Sequence, residues 1–222
     1  MVIVVTDLGR TPRAEQVGAT RGHILRTAER LFAEQGLYAV SNRQISAAAG
    51  QGNNAAVGYH FGTKADLVRA IVRRHQARIE PLRMDVVVAA GESDDVRVWV
   101  DCLVRPVATH LASLGDPTWF ARFGAQVTTD PAFRGIMAEE ALATPSLRQV
   151  VDRLDRCLAD VPAEVRAERG DMTRHLMVHC FAERERALAE NSGTPRSSWD
   201  EAATGVVDAI TGLWLAPVTP RG

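Results

Sequence analysis

Residues Ser41–Lys64, SNRQISAAAGQGNNAAVGYHFGTK, decide the fold. Ser41 with Gln44 three residues on is a capping box, so a helix starts there. Ile45, Ala48 and Ala49 supply its buried side, and Gly50 stops it. After the turn Gln51-Gly52-Asn53, the pattern predicts a short helix from Asn54 to His60, ended by Gly62. Its Ala55, Ala56 and Gly58 are small and allow close approach to another surface. Thr63 with Asp66 repeats the capping box and opens a longer helix whose apolar face is Leu67, Val68, Ile71 and Val72. Two short helices around a Gly-bearing turn are the layout of a helix-turn-helix unit, whose second helix enters a DNA groove.

Working outward, Ile24, Ala28, Leu31 and Phe32 share one helical face. They predict a first helix from about Ala19 to Gln35, stopped by Gly36. Residues 1–18 read as a flexible arm in which Arg10 and Arg13 either touch DNA or belong to a disordered tail. The opening MVIVV is too short for a signal h-region or a membrane span. Past Pro81 longer helices are expected. One runs from Asp94 or Asp95 to Ser113, and Asp-Pro or Thr-Pro pairs at Asp116, Asp130 and Thr144 each put Pro at a first helical position. A long helix follows from Pro162 to about Glu190, and a last one opens at Ser198 with Glu201 and runs to about Leu215. No segment alternates like a strand, so the fold class is all-α.

The net charge of -1 hides an asymmetry. Residues 1–78 hold 11 Arg or Lys against 5 Asp or Glu, a balance of +6; residues 79–222 hold 15 against 22, a balance of -7. A basic first third joined to an acidic remainder suits a nucleic-acid-facing module attached to something else. The 3 cysteines show no paired spacing, which gives neither a disulfide framework nor a zinc motif and makes a reducing cytoplasm the expected location. No cofactor fingerprint, nucleophile-base-acid set or P-loop is present, so no catalytic residue is assigned.

The DNA-reading set follows from helix position. Gln51, Asn53, Asn54 and Ala55 lie at the start of the recognition helix, where Asn and Gln pair with adenine edges. Asn53 and Asn54 are equally good helix caps, so both roles stay open. Arg43 and Gln44 start the preceding helix near the flanking phosphates. Tyr59 and His60 can donate to phosphate, although His60 also fits a place under Phe61. Thr63 and Lys64, the only lysine, stand at a helix start where the free amides of Gly62, Thr63 and Lys64 would form an anion site.

Residues 19–79 resemble the DNA-binding domain of the TetR/AcrR family of transcriptional regulators. The resemblance is carried by ILRTAERLFAEQG, by Ser41-x-Arg43-x-Ile45, by Ala49-Gly50 and by Tyr59-His60-Phe61-x-x-Lys64. It implies a three-helix N-terminal domain with its helix-turn-helix at 42–61, backbone contacts from Tyr59, His60 and Lys64, and a helical effector-binding and dimerisation domain over 80–222. Two departures stand out. The stretch from Ala49-Gly50 to Phe61 is one residue longer than the common family spacing, and Gly58 stands where the family often has an aromatic. They imply a looser turn and one lost backbone contact.

In the second domain the last helix carries Gly205, Val206, Ala209, Gly212 and Leu213, a smooth face for a partner helix. With Leu176, His179 and Cys180 of the long helix it predicts a two-fold four-helix dimer interface. Trp99, Leu103, Trp119, Phe120, Phe123, Met137, Met177 and Phe181 are candidate effector-pocket walls, with Gln126, His175 and Arg122 as polar anchors; each also fits ordinary core packing. The expected function is a homodimeric repressor on a palindromic operator in double-stranded DNA, released by a small-molecule effector. Alternatives are a metal-responsive regulator using His175, His179 and Glu183, or an all-helical enzyme with a vestigial DNA module.

Overall fold

The computed structural model describes residues 12–53 and 55–219, and for residues 12–15 the helical backbone only. Ten α-helices follow one another: α1 (Pro12–Gln35), α2 (Asn42–Ala48), α3 (Ala56–Phe61), α4 (Lys64–Ala90) and α5 (Val96–Ser113); then α6 (Phe120–Thr129), α7 (Arg134–Leu142), α8 (Pro145–Cys157), α9 (Ala163–Ala189) and α10 (Trp199–Leu215). No strand occurs among the described residues.

The local chemistry explains most boundaries. Ser41 accepts from the Gln44 amide while the Gln44 side chain accepts from the Ser41 amide, so the box opens α2 as expected. Gly50 at φ +63° closes it in a Schellman turn: the Gly50 amide donates to Ala47 and the Gln51 amide to Ser46. Thr63 and Asp66 open α4 in the same way. Asp95 caps α5, Pro145 occupies the first turn of α8, and Ser198 caps α10.

Four expectations change. Helix α1 begins at Pro12 rather than Ala19, so only residues 1–11 of the supposed arm, Arg10 among them, and the Arg13 side chain lie outside what is described. Helix α3 begins at Ala56, because the Asn53 side chain accepts from the Ala55 amide and holds the preceding residues in a turn. Asn54 lies outside the described residues. Asp116-Pro117 and Asp130-Pro131 precede turns rather than helices; Asp130 accepts from the Ala132 amide and α7 starts only at Arg134. Finally, α4 runs straight through Pro81, so the supposed division at 79–80 falls inside one helix. Proline removes one helical hydrogen bond, but Ile79, Arg83 and Val87 on either side are buried and packing outweighs the loss.

One contiguous apolar core joins everything, from Ile24 and Phe32 in α1 through Val68 and Ile79 in α4 to Ile210 in α10. The head formed by α1–α3 and the start of α4 is seated on the body chiefly through α1 against α6, where the Phe32 and Phe123 rings lie 6.2 Å apart. Below this contact sits a buried polar chain. Glu29 of α1 meets His75 Nε2 of α4 at 2.9 Å, and His75 Nδ1 meets His110 Nε2 of α5 at 2.8 Å. The Phe120 ring stacks on His75 at 3.7 Å.

Burial, then repulsion from His75, Arg78 and Arg74, pulls the His110 imidazole down to about 4. Its unfolded counterpart takes up a proton near 6.5, so folding stability falls as pH drops from 6.5 towards 4. By pH 5 the loss is about 2 kcal/mol relative to pH 7. Urea unfolding of wild type and His110→Gln should therefore show their stability difference shrinking by that amount between pH 7 and pH 5. A difference independent of pH would mean that His110 is not held neutral.

Candidate nucleic-acid interface and the cavity behind it

The reading head exposes a narrow set of groups. On α3, Val57 and Phe61 point into the core while Ala55, Gly58 and Tyr59 face outward. The Ser46 hydroxyl, buried in α2, accepts from the Val57 amide and fixes α3 against α2. Tyr59 is 85% exposed, with its ring edge-on to His60 at 5.1 Å. His60 is half-buried, and its backbone carbonyl accepts from Arg21. Arg21 also lies 4.2 Å above the Phe61 ring, so α1 braces the end of the recognition helix. Arg43 is exposed and, among the described residues, has no ion-pair partner. An added Cβ at Gly58 would meet nothing within 4 Å, so packing does not demand glycine there.

Several side chains assigned to DNA have internal partners. Lys64 Nζ donates to the Leu37 and Val40 carbonyls, both at 2.8 Å. Its ammonium ties down the α1–α2 connection, which commits two of its three N–H donors within the chain. Two of the three amides expected to form an anion site beside it have partners within the chain. The Gly62 amide donates to Gly58, and the Thr63 amide and hydroxyl donate to Asp66, whose carboxyl these bonds hold low. Gln44 is occupied in its capping box, Gln51 donates to the Ala49 carbonyl, and Asn53 caps the turn. Tyr38, which the sequence places in a short apolar connection, is 90% exposed between α1 and α2, so both of the chain's 2 tyrosines are exposed in the head.

Behind the head, α4–α9 and Trp214 of α10 line a half-open cavity of about 630 Å³. Leu103, Phe120, Met137, Met177 and Phe181 line it. The other expected walls do not. Trp99 is fully buried and donates to the Ser93 carbonyl, Phe123 is packed between Phe32 and Phe120, and Trp119 is half-buried outside the lining. Of the expected anchors, Gln126 lies under Gly36, Arg122 pairs with buried Glu185, and His175 is exposed on α9. The buried polar groups on the cavity include Gln76, Arg83 and Thr173, with Arg166, Arg174, Asp155 and Asp171 at its edge. Gln76, Arg83 and Thr173 went unnoticed because each sits on a helix face that looks solvated in one dimension, and only the packing of α4 on α5, α7 and α8 and of α9 on α6 and α10 buries it.

On the outer side, His179, Cys180, Ala209 and Gly212 are exposed and Leu176, Gly205 and Leu213 half-buried. Val206 is buried within the subunit and belongs to its core, not to an outward face. His175 and His179 have ring centroids 6.5 Å apart, and Glu183 pairs with Arg186. No group of three metal-ligating side chains exists among the described residues, so the metal-sensing alternative loses its site.

Two substitutions separate the roles of the head's cations. Lys64→Met strips donors from two part-buried carbonyls and should cost about 1–3 kcal/mol of stability in urea unfolding. Arg43→Ala should leave stability within about 0.5 kcal/mol and flatten the slope of log K against log salt by about one in filter binding. The reverse pattern would exchange the two assignments.

Comparison with known proteins follows the same division. The family model for bacterial regulatory proteins of the tetR family matches residues 24–71, and the tetracyclin repressor-like C-terminal domain matches residues 101–212. Among curated proteins no sequence matches significantly. A solved structure assigned to the TetR family from Mesorhizobium loti is 15% identical, with a TM-score of 0.47 over 89% of this chain and 98% of that one. The TetR-family transcriptional regulator PfmR from Thermus thermophilus is 20% identical, with a TM-score of 0.46 over 96% of this chain and 100% of that one. The two sequence models cover head and body in turn, and on them the chain belongs to the TetR family: it is a DNA-binding transcriptional regulator and not an enzyme.

Proposed function

We propose that this regulator is a cytoplasmic homodimeric repressor that binds a palindromic operator and is released from it by a small molecule lodged in the α4–α9 cavity. The observation that carries the reading is the continuity of α4. Its N-terminal end holds the head through Lys64, and its middle forms the cavity wall through Gln76, Ile79 and Arg83. A ligand that binds one arrangement of α4 better than another shifts the population of head positions by that difference in affinity. Two heads bound to successive half-sites need a fixed spacing, so a small shift in each suffices to weaken operator binding.

Exposed small and apolar residues on α9 and α10 support pairing through these helices. Met172 is 44% exposed, and an added Cβ at Gly212 would meet nothing within 4 Å in the subunit. A large charged side chain at Gly212 is therefore compatible with the monomer but not with a close helix pair. Gly212→Arg should keep its helical content, fall to half the molar mass in sedimentation, and lose affinity for a two-half-site duplex. An unchanged molar mass would rule out pairing through α10.

The regulatory reading itself is tested by selecting bound duplexes from a random pool. A symmetric consensus, bound more weakly as salt rises, is the expected outcome. Selection that returns no shared sequence would overturn the operator reading.

A further inference from the structure

The cavity wall holds a buried cation whose hydrogen bonds are unmet among the described residues. Arg83 is 2% exposed, and neither its Nε nor one of its terminal nitrogens has a hydrogen-bond partner. The other two cations on the cavity wall are satisfied: Arg166 by Asp155 and the Val161 carbonyl, Arg174 by Asp171. Glu80, about one turn earlier on α4, attracts Arg83 through space, but its carboxylate accepts from the Ser146 amide and hydroxyl and makes no direct ion pair with the guanidinium. Burial pulls the Arg83 guanidinium down to about 10, which still leaves it charged at neutral pH. Three further buried groups on the same wall lack partners: Gln76 Oε1, Thr173 Oγ1 and Trp214 Nε1. A folded chain seldom keeps an uncompensated buried cation, because removing its hydration is costly and nothing in the protein restores the loss.

We infer that the cavity is built for a monocarboxylate with an apolar body, whose carboxylate pairs with Arg83 while its hydrocarbon or aromatic part lies against Ile79, Leu103, Met137 and Phe181. A guanidinium offers parallel N–H groups that match a carboxylate in a fork. One guanidinium without a hydrogen-bonded carboxylate has room for one. The neighbouring Glu80, whose burial is outweighed by its hydrogen bonds from Ser146 so that it stays ionised, opposes a second. The rest of the lining is mostly apolar, and about 630 Å³ falls in the usual range for small-molecule sites of roughly 300–1,000 Å³. Thr173 and Gln76 can take a hydroxyl or amide on the ligand, but neither can neutralise it.

This inference rests on the proposed role of the cavity as the effector site, and its test is kept separate from DNA. Calorimetric titration of the full-length protein is made with decanoate and 4-phenylbutyrate, each against its alcohol of equal length. At least one acid should bind ten times or more tighter than its alcohol. Arg83→Met, close in volume and uncharged, should weaken that acid at least tenfold and leave the alcohol unchanged or tighter. Arg83→Gln, which keeps a polar donor, should fall between. Replacing an unpaired buried charge by an apolar side chain of similar size should also raise the melting temperature of the unliganded protein. Equal binding of acid and alcohol, no binding of either acid, or acid binding that survives Arg83→Met would overturn the inference. An acid that binds through Arg83 yet fails to release DNA would leave the carboxylate site standing and remove the effector reading instead.

Discussion

The whole arrangement hangs on one unbroken rod. Helix α4 has 27 residues and so spans about 40 Å at 1.5 Å per residue. Nothing at Pro81 divides it, because the flanking side chains are locked into the core on both sides. Every functional feature takes its position from this helix. The Lys64 ammonium at one end holds the chain that leads into α2, and Arg83 near the other end faces the cavity. Had the helix broken at Pro81, Arg83 and the cavity wall around it would be joined to the head only through the packing of α1 and α4 on the body.

The local level of this organisation was legible from the chain. Boxes such as Ser41–Gln44 and Thr63–Asp66 depend on residues three apart, so their chemistry is complete in a short window. The all-helical class and the position of the reading head follow from these windows and from the apolar faces of Ile24–Phe32 and Leu67–Val72. What escaped was whatever needs a partner far along the sequence. Lys64 looks like a phosphate ligand until the Leu37 and Val40 carbonyls are brought beside it from 27 and 24 residues away. Glu29, His75 and His110 look like three ordinary surface groups; their mutual contacts bridge 46 and 35 residues. Trp99 and Phe123 look like pocket walls because large aromatics serve core and cavity alike, and only depth in the fold distinguishes the two.

The same distinction applies to polar groups. A buried polar side chain is ordinarily satisfied within the fold. Glu185 illustrates this: burial pushes its carboxyl up, while the Ala121 and Arg122 amides and the Arg122 side chain hold it in place at the start of α6. Arg83 breaks the rule on the wall of a cavity, whereas Glu185 obeys it away from one. Stability alone does not account for Arg83, since a methionine would fill the space with no charge to bury.

Two sets of contacts connect the cavity to the head, and their physical character decides between them as carriers of a signal. The first runs through α7, whose Met137 and Ala138 line the cavity while Glu139 and Glu140 pair with Arg69 and Arg73 of α4. Glu140 is 10% exposed at its side chain, but its partners Arg69 and Arg73 are 31% and 66% exposed and Glu139 is 63%, and ion pairs open to water on one side contribute roughly 0–1 kcal/mol each. The second runs through Phe120, which lines the cavity, stacks on His75, and through it meets Glu29 of α1. Every member of this chain is at least nine-tenths buried, so a displaced Phe120 would unstack from His75, whose hydrogen bonds lie where water cannot replace them. Useful coupling between two sites is on the order of 1–3 kcal/mol. Dry hydrogen bonds of this kind supply that range and the surface pairs do not. On the proposed reading, the Phe120–His75–Glu29 contact is therefore where occupancy of the cavity is felt by the head, and the α7 ion pairs serve to keep that helix in register.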